Sequence, residues 1–301
     1  MAADKTDVYL QTRKDVPPNL MFLIDSSHDL TSGRLELITD KIAQPMRRPR
    51  ISRPRLLDML VRSLGAGTST IINGRAGTGK SMLAVDFAER CGRQVAWYKV
   101  DAPDSDPRIF FDYLIGSVRK QRPGFGAKLL QPLVESDDFD RIDPLAEAFI
   151  YELGDGDEHN SLLVVIEDLH LVCDSEWLVP FFTRLLPLLP SDVHVLITSR
   201  SMPPAPLWRL RSKQSLVVIE EEWLAFTRPE AIDLFESYGL SSEQASIALD
   251  HSHGRAAALD EFALFLRQSE AKANDQSRKL SVANSKTSNS FKNEWPPGTD
   301  L

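Results

Sequence analysis

Gly74-Arg75-Ala76-Gly77-Thr78-Gly79-Lys80-Ser81 is the stretch on which the reading of this chain turns. It satisfies G-x-x-x-x-G-K-[ST]. The glycines let the backbone curl so that successive N–H groups point at phosphate oxygens. Lys80 is placed to reach the β and γ phosphates, and the Ser81 hydroxyl is a ligand for Mg²⁺. The flanks give the match its weight. Thr70-Ile-Ile-Asn73 is strand-like before it, and Met82 to Ala88 is apolar at helical spacing after it. Strand, loop and helix are expected in that order, with all eight residues 74–81 around a nucleotide's phosphates.

Outward from the loop, short apolar runs alternate with amphipathic segments. Thr70–Ile72, Val95–Val100, Leu162–Ile166 and Val193–Thr198 read as buried strands. That alternation predicts an α/β fold, a parallel sheet flanked by helices. From about Arg228 to Gln268 helix signals take over: Pro229 sits at a helix start, and Ser241-Ser-Glu243 opens another helix after Gly239. The expected organisation is an N-terminal extension over 1–45, partly ordered, and a P-loop NTPase core over 46–222. A small all-helical subdomain over 223–270 and a disordered tail over 271–301 follow. The tail is rich in Ser and Asn and contains Pro296-Pro297-Gly298.

Two further features belong with the loop. Leu162-Leu-Val-Val-Ile-Glu167-Asp168 ends a buried strand in two carboxylates, one expected to hold Mg²⁺ and the other to orient or deprotonate an attacking water. Glu167 is the expected metal-side residue, with Ser81. The order is Glu then Asp, so the second carboxylate is the short one. His194-Val-Leu-Ile-Thr198-Ser199-Arg200 ends another strand in an arginine, which can sense or stabilise charge at the γ-phosphate. His170 stands beside the carboxylates, either as a water-positioning group or as a structural hydrogen-bonding one. Trp97-Tyr98 and Phe110-Phe111 are read as core, and Cys91 and Cys173 as buried small apolar residues.

From about Ile51 to Gln268 the sequence resembles the nucleotide-binding module of the STAND ATPases. More narrowly, it is similar to the ATP-dependent LuxR-type bacterial regulators. The resemblance rests on Ile51-Ser-Arg-Pro-Arg-Leu-Leu57, on Val95-Ala-Trp-Tyr-Lys-Val-Asp101 with Asp106 to Leu114, and on Val165-Ile-Glu-Asp-Leu-His-Leu171. It extends through Thr198-Ser-Arg200 with Pro203-Pro204 and Leu207 to Arg211, and through Leu224-Ala-Phe-Thr to Glu230-Ala231. It implies ATP or ADP with Mg²⁺ as ligands, a catalytic set of Lys80, Glu167, Asp168 and Arg200, and Ile51 and Arg53 close to the adenine. Where the family carries Gly-x-Pro near the base, this chain has Gly254-Arg255-Ala256. The family continues into a winged-helix segment, a helical-repeat sensor and a DNA-binding helix-turn-helix. None of these is visible after Gln268, and direct DNA binding by this chain is not expected.

Composition sets the outer bounds. The 301 residues carry 35 Lys plus Arg against 43 Asp plus Glu, a formal net charge of −8, which does not suit a broad nucleic-acid surface. Five arginines cluster at Arg47, Arg48, Arg50, Arg53 and Arg55, and their position favours the nucleotide site or a linker over a DNA-binding arm. Two cysteines without metal-ligand spacing fit a reducing compartment. The opening Met-Ala-Ala-Asp-Lys-Thr-Asp lacks a signal-peptide pattern, and the longest apolar runs are too short to cross a bilayer. The expectation is a cytoplasmic, slowly hydrolysing ATPase switch in signal transduction and transcription control, acting through a protein partner or self-association. The alternative is a non-hydrolysing nucleotide-binding scaffold or truncated regulator working through a partner chain.

Overall fold

Five parallel strands form the sheet: β1 (Ser69–Asn73), β2 (Gln94–Lys99), β3 (Leu162–Glu167), β4 (Val193–Ser199) and β5 (Leu216–Ile219), in the order β2-β3-β4-β1-β5. The computed structural model describes residues 37–66, 69–136, 142–154, 160–202, 204–212 and 216–273, all within one compact unit. Of the expected extension, residues 1–36 lie outside the described residues, as do residues 274–301 of the expected tail.

The three central strands β1, β3 and β4 are buried along their whole length, as near-continuous apolar runs require when both sheet faces are covered. Their side chains alternate between two cores. Ile71, Val164, Ile166, Val195 and Ile197 face one side; there they meet Phe110 and Phe111 of α3 (Pro107–Arg119), Phe149 of α5 (Ile142–Gly154), and Phe181 and Phe182 of α6 (Leu178–Leu185). Ile72, Leu163, Val165 and Leu196 face the other side, against α1 (Pro54–Ala66) and α2 (Lys80–Arg90). The short helix α4 (Leu130–Val134) lies between α3 and α5 in sequence, and α7 (Ala205–Ser212) joins β4 to β5. Trp97, Tyr98, Phe110 and Phe111 are all core, as read from sequence. Cys91 and Cys173 are only half-buried, because each caps the end of a helical turn where the chain heads outward.

β5 is the strand that the sequence reading lacks. Leu216-Val-Val-Ile219 is only four residues long and, among the described residues, pairs with β1 alone, so its pattern is brief. After it come α8 (Glu221–Leu224), α9 (Arg228–Glu236), α10 (Ser242–Ser252) and a helix α11 over residues 256–273. Thr227 and Glu230 form a capping box at α9, with Pro229 in its first turn, and Ser241 and Gln244 form another at α10. α9, α10 and α11 pack a separate small core around Phe235, Leu234, Tyr238 and Leu259, while Leu224 of α8 joins the sheet-side core with Ile72 and Leu196. α11 runs past residue 270, so the boundary expected there falls inside a helix.

Upstream of α1, a single turn over Thr39–Ile42 docks on the sheet's β2 side. The Lys41 ammonium lies 2.6 Å and 2.8 Å from the two oxygens of Asp104, which is fully buried, and 4.1 Å from the Tyr113 ring centre. Among the described residues no helix is long and apolar enough to cross a membrane.

Candidate functional site

The carboxyl ends of β1, β4 and β3 converge on the loop 74–79, because β4 lies between the strand that carries the loop and the strand that carries the acids. Gly74 N–H donates to Ser199 C=O at 3.2 Å, which ties the loop's first residue to the end of β4. Gly77 and Gly79 adopt φ of 79° and 91°, the left-handed region that a side chain would strain. The Thr78 hydroxyl closes the turn on Arg75 C=O at 2.9 Å.

Lys80 opens α2 and is buried. Its ammonium donates to Gly74 C=O at 2.5 Å and to Arg75 C=O at 2.9 Å. Desolvation holds its pKa below the ordinary lysine range; Asp168 opposes that shift and Arg200 adds to it. The Ser81 hydroxyl donates to Glu167 Oε1 in a short contact, and the Trp97 indole N–H donates to Glu167 Oε2 at 3.3 Å. The structure thus brings Ser81 and Glu167 together, two hard oxygen donors side by side beneath the loop. That donor set fits Mg²⁺, which takes one or two protein oxygens and completes its shell from phosphates and water.

Asp168 turns away from the strand with φ 60°, its N–H bonded to Thr198 Oγ1 at 3.0 Å. One carboxylate oxygen lies 3.8 Å from Arg200 Nε and 3.8 Å from His170 Nδ1. Arg200, half-exposed, and His170 therefore flank the second carboxylate. His170 is mostly buried, its Nδ1 has no hydrogen-bond partner among the described residues, and desolvation lowers its pKa with only partial compensation from Asp168.

A cavity of about 720 Å³ opens beside Gly77 and Gly79, between α2 and the helical subdomain. Ile51, Phe226 and Tyr238 give it apolar walls, and Asp86 gives it a carboxylate held by the Ser52 hydroxyl at 2.5 Å and by Arg90 at 2.7 Å. Arg50 stacks 3.8 Å over the Tyr238 ring at its rim. Arg53 also lines the cavity, but its guanidinium is engaged elsewhere. It donates to Leu224 C=O, Ala225 C=O and Glu230 Oε2 at 2.9–3.0 Å and lies over Phe226. The geometry places Arg53 as a bolt to the helical subdomain more than as a hand on the base.

Several site residues carry no motif signal. Trp97 was legible as core, while its indole contact with Glu167 was not. Glu221 receives the Arg75 backbone N–H at 2.8 Å and the Arg75 guanidinium at 2.7 Å, and that backbone bond is the main reason its pKa is lowered. Arg255 and Ala257, from the start of α11, hydrogen-bond the loop's carbonyls.

No protein-family model matches the chain. Among curated proteins it is similar to the HTH-type transcriptional regulator MalT of Serratia proteamaculans, 30% identical over 255 residues, which is 82% of this chain and 27% of that protein. The MalT of Yersinia enterocolitica is 28% identical over 254 residues, with the same coverage of each chain. The chain thus spans about a quarter of the length of these relatives. Among solved structures, a signal transduction ATPase with numerous domains and a tetratricopeptide-repeat sensor from Pyrococcus horikoshii superposes with TM-score 0.47 at 17% identity, over 68% of this chain and 28% of that one. A Walker-type ATPase of Pyrococcus abyssi gives TM-score 0.48 at 12% identity, over 80% and 75%. With a phosphate-loop sequence at the end of β1, an acidic end to β3 and similarity to MalT across four-fifths of its length, the chain is a P-loop NTPase module similar in sequence to the MalT regulators.

Proposed function

We propose that this chain is a nucleotide-dependent switch that binds ATP or ADP with Mg²⁺ and hydrolyses ATP slowly. The observation that carries the reading is the Ser81–Glu167 contact directly beneath a phosphate loop whose lysine is buried. In this reading residues 74–79 present N–H groups to the phosphates, and Lys80 exchanges its two carbonyl partners for phosphate oxygens. Ser81 and Glu167 would hold Mg²⁺, which would supply neutralising charge at the phosphoryl oxygens when bound. Asp168 orients the attacking water, and Arg200 senses the γ-phosphate. The base and ribose occupy the cavity walled by Ile51, Phe226 and Tyr238.

Slow turnover follows from the second carboxylate. Asp168 is the shorter of the two acids, and one of its oxygens lies 3.8 Å from both Arg200 Nε and His170 Nδ1, so it reaches less far toward a water than a glutamate would. The same observation favours the alternative of a scaffold without turnover. Hydrolysis in either case resets a switch, and its output is a change in how the helical subdomain packs on the core. We place the protein in the cytoplasm, in signal transduction and transcription control, acting through a protein partner or self-association.

The test is to purify the protein, denature it, and identify released nucleotide by chromatography, with Lys80→Ala alongside. Stoichiometric ADP from the wild type and none from the variant supports the switch. An empty protein that also fails to bind ATP and Mg²⁺ overturns it. ATP bound and recovered unhydrolysed after hours selects the scaffold.

A further inference from the structure

The phosphate loop is held from outside by the helical subdomain. Arg255 Nη2 donates to Ala76 C=O at 2.7 Å, and Ala257 N–H donates to Gly77 C=O at 2.9 Å. A Cβ built on Gly77 would lie 2.9 Å from Ala257 Cβ, so α11 packs on the loop with no room for a side chain at Gly77. In a trans peptide the C=O of one residue and the N–H of the next point in opposite directions. Fixing Ala76 C=O and Gly77 C=O outward therefore aims Gly77 N–H and Thr78 N–H inward, at the position of the phosphates.

We propose that Arg255 is a positioning residue that sets the orientation of the loop's anion-binding N–H groups, and so couples nucleotide affinity to docking of the helical subdomain. This rests on the reading of residues 74–81 as the phosphate site. Arg255 does not touch the nucleotide; it acts through the Ala76–Gly77 peptide. By linkage the coupling runs both ways. A phosphorylated ligand that needs those N–H groups inward strengthens the grip on Arg255 and Ala257. A partner that lifts α11 frees the two peptides to turn and weakens the ligand. The nearby residues agree with such a grip. Gly254 takes φ 75°, a Cβ there would meet the Phe226 backbone at 2.9 Å, and Phe226 N–H donates to Gly254 C=O at 2.8 Å. The segment that carries Arg255 is thus fixed to the same linker that Arg53 holds.

The experiment titrates ADP with Mg²⁺ into the full chain by calorimetry, for wild type, Arg255→Ala, Arg255→Lys and Lys80→Ala. Hydrogen exchange of α9 and α10 is measured with and without ADP. Arg255→Ala is expected to bind ADP about fivefold more weakly, the size of one lost hydrogen bond. Arg255→Lys, which can still donate to Ala76 C=O, recovers part of the loss. ADP slows exchange in α9 and α10 of the wild type, and less so in Arg255→Ala. Because Arg255 is exposed, the nucleotide-free melting temperature stays within about 2 °C of wild type. Arg255→Ala binding within twofold of wild type, while Lys80→Ala abolishes binding, overturns the coupling and leaves the phosphate site standing. So does a loss that Lys fails to rescue and that tracks a fall in melting temperature. Lys80→Ala binding like wild type overturns the phosphate-site reading itself, and this inference with it.

Discussion

Arg53 and Glu230, 177 residues apart in sequence, lie 3.0 Å apart with both side chains buried, and join the segment before α1 to the first turn of α9. Arg55 approaches the same carboxylate oxygen at 3.4 Å. The pair ties the core to the helical subdomain. Arg53→Ala leaves Glu230 without its main partner and strands the Leu224 carbonyl, and removing one side of a buried pair costs roughly 3 kcal/mol. Arg53→Lys does not restore the loss, because one ammonium cannot reproduce the fork that spans two carbonyls and a carboxylate. Urea denaturation of the three proteins measures both statements.

Glu230 also predicts a pH dependence. Burial alone would raise its pKa, but the bonds from Arg53 and from Thr227 N–H, with the charges of Arg53 and Arg55, outweigh burial and hold it below the ordinary glutamate value of 4.5. A carboxylate with a depressed folded-state pKa contributes stability that is present above 4.5 and is lost as the pH falls through its folded value. Stability measured from pH 6 downward should therefore fall below about pH 4.5 in wild type, and fall less steeply in Glu230→Gln. Parallel curves for the two proteins would show that the pair carries no proton linkage.

Asp104 is fully buried against Lys41, whose ammonium lies 3.9 Å from Asp101. Asp104→Ala also removes the acceptor for Asp101 N–H. It is expected to cost about 3 kcal/mol, whereas Asp101→Ala, whose side chain is 58% exposed, costs under about 1 kcal/mol. Thermal denaturation of the two variants separates them.

The two carboxylates at the end of β3 should divide their labours. If Ser81 and Glu167 hold the metal as proposed, Glu167→Gln and Ser81→Ala weaken ADP binding about tenfold in Mg²⁺ and change it little in EDTA. Asp168→Asn is expected to leave affinity within about threefold and to lower ATP turnover by a hundredfold or more, as a water-positioning group would. Equal effects of Mg²⁺ on wild type and on Glu167→Gln would remove Glu167 from the metal site.

Much of this was legible in the chain because the signals are local. The octapeptide at 74–81, four of five strands and the helix-start residues Pro229 and Ser241 each announce themselves within a few positions. What escaped is what the fold brings together from afar. Glu221 meets Arg75 across 146 residues, Arg255 meets Ala76 across 179, and the Trp97 indole meets Glu167 across 70. None of these pairs has a spacing to read. Arg53, placed close to the adenine by the resemblance, lines the cavity, and its guanidinium is turned by the Leu224 and Ala225 carbonyls and by Glu230, which no local spacing announces.

Gly77 separates loop strain from subdomain contact. Both Gly77 and Gly92 have positive φ, 79° and 67°, so alanine at either position carries left-handed strain of about 1–2 kcal/mol. Only Gly77 has a neighbour in the way. A Cβ there meets Ala257 at 2.9 Å, whereas nothing lies within 4 Å of one on Gly92. Gly92→Ala should therefore lower stability by the strain alone and leave nucleotide affinity unchanged. Gly77→Ala should lower stability further, because α11 has to move off the loop, and it should weaken ADP binding as the loop's carbonyls lose Ala257 and Arg255. If the two variants are equally stable and bind ADP equally well, α11 yields to the methyl group without cost, and its packing on the loop is not what holds the phosphate site in shape.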